Sequence, residues 1–167
     1  LRLMQALETQ GNDKGAQETA IQRLRLVPKD TVVLGALANL HARAGRYADA
    51  GKTYQSLLAL QPQDVFALNN LANVQIKLGD KTALQTAERA HGLAPANALV
   101  IDTLGWAHHQ FGQQDKALSF LRDARLREPS NPEIRYHLAK VLAQAGRRAE
   151  AQAELREAMK TGRTFEG

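Results

Sequence analysis

Five histidines are the side chains of this sequence best suited to ligate a metal ion or to transfer protons near neutral pH. His108 and His109 are adjacent, so on a helix they point about 100° apart and cannot easily face one site. His109 and His137 could approach each other, but no carboxylate cluster accompanies them, and two ligands make a poor zinc site. We therefore predict no metal site and no cofactor.

Catalysis would require a nucleophile beside a base, or a glycine-rich loop that cradles a phosphate. The sequence contains no cysteine, which excludes disulfides, thiolate nucleophiles and cysteine-ligated zinc or iron–sulfur centres. No GxGxxG or P-loop pattern occurs, and the glycines are spaced as helix terminators. The sequence therefore predicts a protein that is not an enzyme.

The formal net charge of +5 invites comparison with nucleic-acid-binding proteins. Basic and acidic residues are nevertheless mixed along the whole chain, as on a solvated surface, and form no basic stripe that could follow a phosphate backbone. No apolar run approaches the roughly 20 residues that a membrane-spanning helix needs. We expect neither a nucleic-acid partner nor direct membrane insertion of this segment.

Three kinds of residue recur in phase along the chain, with spacings of 33 or 34 residues. The prolines are Pro28, Pro62, Pro95 and Pro129; the glycines are Gly11, Gly45, Gly79, Gly112 and Gly146; the alanines are Ala16, Ala50, Ala83, Ala117 and Ala151. Proline ends a helix, glycine supplies the left-handed residue after a helix, and alanine allows two helices to cross closely. The pattern predicts repeated helix pairs.

A helix-capping residue follows each proline by two positions, at Asp30, Asp64, Asn97 and Asn131. Between the markers, apolar residues recur at helical spacing, as in Leu34, Leu37 and Leu40. The resulting prediction is ten helices, near residues 1–10, 14–27, 31–44, 47–60, 65–78, 81–93, 98–111, 114–127, 132–145 and 148–160. The chain begins within a predicted helix, so we expect it to be a fragment of a longer protein.

These markers resemble those of the tetratricopeptide repeat (TPR) family. The segment 67–73 is similar to a typical first helix of that repeat, and Leu104-Gly105 matches its Leu-Gly/Ala pair. The resemblance implies an all-α, right-handed α-solenoid of about five helix pairs in a single superhelical domain spanning residues 1–167. The expected repeats are 1–30, 31–64, 65–97, 98–131 and 132–163. The bulky aromatic residue that the family usually has early in the first helix of each repeat is absent, and Arg135 occupies its position in the last repeat.

The resemblance also implies a binding surface, because the first helices of stacked repeats line an extended concave face. Equivalent positions form one row of Asn39, Asn73, Trp106 and Lys140, a second of Gly35, Asn69, Asp102 and Tyr136, and a third of Ala36, Asn70, Thr103 and His137. We expect a protein or peptide partner to contact Asn39, Asn69, Asn70, Asn73, Asp102, Trp106, His109, Tyr136, His137 and Lys140.

Two interpretations of Trp106 and Tyr136 stay open at this point. Amphipathic aromatics dominate interface energetics, so both are candidate anchors for a partner, but they could also only pack between repeats. The asparagines could likewise bind a ligand, or they could only form hydrogen bonds between neighbouring repeats. The clamp that some TPR domains use on acidic C-terminal tails needs basic residues where this chain has Leu99 and Thr103, which argues against that mode.

The predicted function is a non-enzymatic protein-interaction scaffold. The alternative is a structural spacer or self-associating module, with dimerisation through the exposed ends of the stack. Segments 102–106 and 131–139 also resemble the C-terminal repeats of bacterial TPR lipoproteins linked with exopolysaccharide production and PEP-CTERM protein sorting. That narrower resemblance favours a periplasmic or outer-membrane-associated parent protein over a cytoplasmic one.

Overall fold

The computed structural model describes residues 2–160, and every regular element in this range is an α-helix. The helices are α1 Arg2–Thr9, α2 Asp13–Leu26, α3 Thr31–Arg43, α4 Tyr47–Leu60, α5 Val65–Lys77, α6 Thr82–Leu93, α7 Ala98–Gln110, α8 Gln114–Arg127, α9 Pro132–Gln144 and α10 Arg148–Met159. The all-α class and the predicted helices are confirmed, with ends that agree to within one residue. The predicted helix start at Leu1 and residues 161–163 of the predicted last repeat lie outside the described residues.

The first helix of each later pair begins where the sequence places a capping side chain. Asp30, Asp64, Asn97 and Asn131 each accept a hydrogen bond from a backbone N–H two or three residues further on. These bonds satisfy N–H groups that have no partner within the helix. Pro132 occupies the first turn of α9, where its missing N–H costs nothing.

A left-handed glycine closes the first helix of each pair. The five glycines with positive φ, between 68° and 79°, are Gly11, Gly45, Gly79, Gly112 and Gly146. At Gly45 the glycine N–H donates to Ala42 O (3.0 Å) and the following Arg46 N–H donates to His41 O (2.9 Å). These bonds satisfy the last carbonyls of α3 and reverse the chain. The predicted role of the glycines is confirmed.

The chain divides into two compact units, the first ending at Ala83 and the second beginning at Leu84. The first unit holds α1 to α5, and α6 begins at its end. In this unit α3 packs against α4, and Ala38 and Ala50 are fully buried beside Tyr54. The expected single domain over residues 1–167 stays a prediction.

The second unit holds most of α6 and the helices α7 to α10, of which α7 packs with α8 and α9 with α10. Its core contains Leu121 of α8, which is fully buried and packs with Leu138, Val141 and Leu142 of α9. Across both units the predicted small residues Ala16, Ala50, Ala83, Ala117 and Ala151 are buried, as close helix crossings require. Helix α9 therefore lies on α7 and α8 and positions its own side chains against theirs.

Candidate functional site

The predicted asparagines of the first unit form hydrogen bonds close to Tyr54. Tyr54 Oη donates to Asn39 Oδ1 at 2.5 Å, and Asn70 Nδ2 lies 3.4 Å from the same oxygen. Burial raises the pKa of Tyr54 to about 12, against a smaller lowering by its hydrogen bond with Asn70. Asn69 Oδ1 is buried and has no hydrogen-bond partner among the described residues, and Asn73 is half-buried. The network joins α3, α4 and α5.

The second unit brings together the other six predicted residues, on α7 and α9. We call this group the α7–α9 cluster; its members are Asp102, Trp106, His109, Tyr136, His137 and Lys140. At its centre, His137 Nδ1 lies 2.8 Å from Asp102 Oδ2. Both side chains are largely buried, so the pair fixes the imidazole of α9 against the carboxylate of α7. Asp102 Oδ1 is also buried and has no partner among residues 2–160.

Trp106 packs against two imidazole rings. Its ring centroid lies 4.3 Å from that of His137, with the planes 14° apart, and 4.8 Å from that of His109, at 37°. Both imidazoles pack on the indole, and the residue is half-buried. Trp106 therefore supports the cluster and leaves only part of its ring to solvent.

Tyr136 and Lys140 are half-buried members of the cluster on α9. The Tyr136 ring lies 6.0 Å from that of His137, and Lys140 Nζ lies 5.6 Å from the tyrosine ring centroid. An ammonium at that distance is attracted by the negative face of the ring. The two residues together place an aromatic ring and a positive charge side by side on α9.

His109 is held in place by a glutamine that also reaches α9. His109 Nδ1 lies 3.2 Å from Gln114 Oε1, and Gln114 Nε2 donates to Val141 O at 2.9 Å. Burial lowers the pKa of His109, while the Gln114 hydrogen bond opposes that shift. Burial therefore disfavours the charged form of the imidazole beside Trp106.

The two adjacent histidines point to different neighbours, as predicted. His108 stacks on Phe120 of α8 with centroids 5.3 Å apart, and burial lowers its pKa. His41 of α3 is also buried, and its pKa is lowered first by burial and then by the charge of Arg46. No group of three or more potential metal-ligating side chains occurs within residues 2–160.

A groove that we did not predict opens beside the cluster, between α9 and α10. It has a volume of about 290 Å³ and contains Tyr136 and Lys140 at one side and Arg148 and Leu155 at the other. Leu155 is 37% exposed, whereas Leu121, one 34-residue repeat earlier, is fully buried. Alignment of the repeats would have revealed the apolar residue, but not its exposure.

The described helices contain no stretch of the length and apolarity needed to cross a bilayer.

A family model for the tetratricopeptide repeat matches residues 2–164. This chain belongs to the tetratricopeptide repeat family. TPR proteins are generally non-catalytic and serve as scaffolds for protein–protein interaction. The thermophilic TPR protein TTC0263 of Thermus thermophilus has a similar structure, with a TM-score of 0.81 and 26% identity over 96% of this chain and 88% of that one.

Curated relatives include two proteins named for cellulose synthase operons. Cellulose synthase 2 operon protein C of Komagataeibacter xylinus is 35% identical over 124 residues, which is 72% of this chain and 10% of the relative. Cellulose synthase operon protein C of Pseudomonas fluorescens is 30% identical over 153 residues, 86% of this chain and 12% of the relative. The chain thus spans only about a tenth of the length of these relatives.

Proposed function

We propose that this TPR chain is a scaffold that binds a peptide or partner protein through the α7–α9 cluster. The observation that carries the proposal is the meeting of six predicted residues on two helices of one unit. Tyr136 and Lys140 are the proposed contact residues, because they combine a half-buried aromatic ring with a neighbouring cation. The partner's apolar side chain would pack on the tyrosine, and its carboxylate would pair with the lysine.

The contacts of Trp106 support a different role for that residue. With imidazoles at 4.3 and 4.8 Å, the indole acts mainly to hold His137 and, through it, the helix that carries Tyr136. We therefore propose packing as its main role, with partner contact limited to the remaining exposed part of its ring. The Asp102–His137 pair would keep α9 in register on α7, so that the anchors stay in place.

We further propose that the parent protein acts in a bacterial exopolysaccharide or protein-sorting system. The names of the two cellulose synthase operon relatives support the exopolysaccharide context. A periplasmic or outer-membrane-associated location fits such a role. The asparagine network of the first unit would then be a connection between helices, since Asn39 and Asn70 already contact Tyr54 or each other.

Affinity capture from a native lysate of the source organism tests the binding site. The chain is compared with a Tyr136→Ala/Lys140→Ala variant and with a matched control, Phe66→Ala/Lys77→Ala, which removes an exposed aromatic and a lysine from α5. Circular dichroism first establishes that both variants keep their helices. Truncation of an interface anchor typically costs at least about 2 kcal/mol, or roughly thirtyfold in affinity.

We expect a captured protein that the control retains and the Tyr136/Lys140 variant loses. Equal capture by all three chains would remove the α7–α9 cluster as the binding site. Failure of every chain to capture a specific protein would favour the alternative of a structural spacer or self-associating module.

A further inference from the structure

Consecutive helices of the first unit pack against each other across loops of three or four residues, so neighbouring helices run in opposite directions. Their loops therefore fall at two opposite edges. Loops 27–30 and 61–64 contain the repeated prolines, and we call their edge the proline edge. Loops 10–12, 44–46 and 78–81 contain the repeated glycines, and we call their edge the glycine edge. The two edges differ in the side chains that they present to solvent.

The proline edge exposes large apolar side chains on either side of both its loops. Leu26 and Leu60 are the last residues of α2 and α4, and Val32 and Phe66 are the second residues of α3 and α5. All four are exposed, Leu26 by 80% and Phe66 by 73%. Described helices precede and follow each of them, so their exposure comes from the position at the edge and not from an end of the chain. Exposed apolar groups that recur in this way mark an interaction surface.

The proline edge also carries two unpaired cations. Arg25 and Lys29 are exposed, and among the described residues neither takes part in an ion pair. The two carboxylates of this edge are already engaged, because Asp30 and Asp64 each cap a helix and Asp30 also lies 3.0 Å from Arg23. The edge therefore combines exposed apolar groups with positive charge that no carboxylate pairs.

The glycine edge differs in both respects. Its charged side chains pair with one another, since Arg43 lies 3.1 Å from Asp13 and Arg46 lies 4.0 Å from Asp49. Within its described loops, Leu78 is the one large apolar side chain that is exposed. The first unit is thus amphipathic from one edge to the other, with its apolar groups and unpaired cations gathered at the proline edge.

We infer that the proline edge of the first unit binds the surface of a lipid bilayer that contains anionic lipids. The four apolar side chains would enter the boundary between headgroups and acyl chains, and Arg25 and Lys29 would lie among the lipid phosphates. Such a contact is made at the membrane surface and requires no spanning helix. None of these residues belongs to the α7–α9 cluster, so the membrane contact is additional to the proposed function.

Two features favour a bilayer over a protein partner or a second copy of this chain. The unpaired cations match the negative charge of lipid phosphates, whereas a second copy would bring the same cations to the interface. The hollow at this edge, of about 540 Å³, is lined by residues 61–64 and by none of the four apolar side chains. Because these side chains project outward and do not line the hollow, they suit a fluid surface better than a shaped partner.

Co-sedimentation of the whole chain with vesicles tests the membrane contact. Vesicles of phosphatidylethanolamine and phosphatidylglycerol provide an anionic surface, and vesicles of phosphatidylcholine provide a surface without net charge. Leu26→Ser/Phe66→Ser removes the two most exposed apolar side chains of the edge, and Arg25→Gln/Lys29→Gln removes its unpaired cations.

The matched controls change the same kinds of residue at the glycine edge. Leu78→Ser removes its exposed leucine, and Lys77→Gln/Lys81→Gln removes two exposed lysines. Circular dichroism first establishes that every variant keeps its helices.

We expect saturable binding to the anionic vesicles that weakens at high salt, and weaker binding to phosphatidylcholine. Leu26→Ser/Phe66→Ser should weaken binding about tenfold or more, because burial of one such side chain is worth that much. Arg25→Gln/Lys29→Gln should weaken binding to anionic vesicles roughly thirtyfold, from about fivefold for each charge. The glycine-edge variants should bind as the unmodified chain does.

Lack of binding to the anionic vesicles, or equal binding to both kinds of vesicle, would overturn the inference. Unchanged binding by Leu26→Ser/Phe66→Ser would overturn it as well. A dimer that forms without vesicles and that this variant abolishes, measured by analytical ultracentrifugation, would assign the edge to a second copy and overturn it too. Tyr136→Ala/Lys140→Ala should leave vesicle binding unchanged, so failure of the proposed function and failure of the membrane contact are separate results.

Discussion

Substitution of Gly105 by alanine tests how closely α7 and α8 approach. A Cβ atom at this position would lie 2.8 Å from Leu121 Cγ and 3.1 Å from Phe120 Cβ. Leu121 cannot easily move away, because it is fully buried against α9. The helices would have to separate or the leucine would have to leave its rotamer.

Two effects of opposite sign determine the result. Replacement of glycine by alanine within a helix stabilises it by about 1 kcal/mol, because glycine has more conformational freedom to lose. Overpacking of a filled core costs about 1–3 kcal/mol. Because the added Cβ would lie 2.8 Å from the branched Cγ of Leu121, we expect the overpacking cost of Gly105→Ala to lie near the middle of that range. We expect a net loss of about 1 kcal/mol in the free energy of unfolding.

Urea unfolding followed by far-ultraviolet circular dichroism measures the change, and Gly35→Ala is the matched control. At Gly35 the nearest atom to an added Cβ is Leu57 Cδ2 at 3.6 Å, an ordinary contact, so the helix-propensity gain of about 0.5–1 kcal/mol should appear undiminished. Introduced into a Leu121→Ala chain, Gly105→Ala should also become stabilising. A Gly105→Ala chain as stable as the Gly35→Ala chain would refute the reasoning.

Two further predictions concern buried titratable groups. Burial lowers the pKa of His108 in the folded chain. The neutral imidazole therefore stabilises the fold above the unfolded-state pKa of about 6.5. This stability is lost as the pH falls from about 6.5 through the folded-state pKa. The urea concentration at the unfolding midpoint should therefore decrease as the pH is lowered from about 7.5 to about 5, and His108→Gln should make this decrease smaller. An equal decrease in both chains would contradict the role given to His108. Tyr54→Phe should cost about 1 kcal/mol at pH 7, because Asn39 loses a donor. Since the pKa of Tyr54 is raised to about 12, wild type should lose that advantage above pH 10, and a constant difference between the two chains would contradict the assignment.

The fold was predictable because its signals are local. A proline, an Asp or Asn two residues later, and a glycine define where each helix ends and begins, and none of these depends on distant contacts. Asp64, for example, caps α5 through a bond to Ala67, three residues away. The boundary between the two compact units at Ala83 and Leu84 has no such local signal, because it depends on contacts between residues that are far apart in the sequence.

The site was predictable only as far as helical rows allow. The rows identified Asp102 and Trp106 on α7, and Tyr136 and His137 on α9, as inward positions of neighbouring repeats, and their role in binding stays a prediction. They could not give the pairing of His137 with both Asp102 and Trp106, because that depends on the offset between two helices and on side-chain rotamers. The exposure of Leu155 was missed for a related reason: the sequence carries the same residue type as Leu121 and does not show what covers it.

The stacking of Trp106 between two imidazoles also has a photophysical consequence. It is the only tryptophan in the sequence, so all indole emission of the chain originates within the α7–α9 cluster. The emission of an indole depends on the polarity of its surroundings and on the groups that contact its ring. Intrinsic fluorescence therefore reports the displacement of His109 or His137 from the indole, and the native chain senses events at this cluster without any added label.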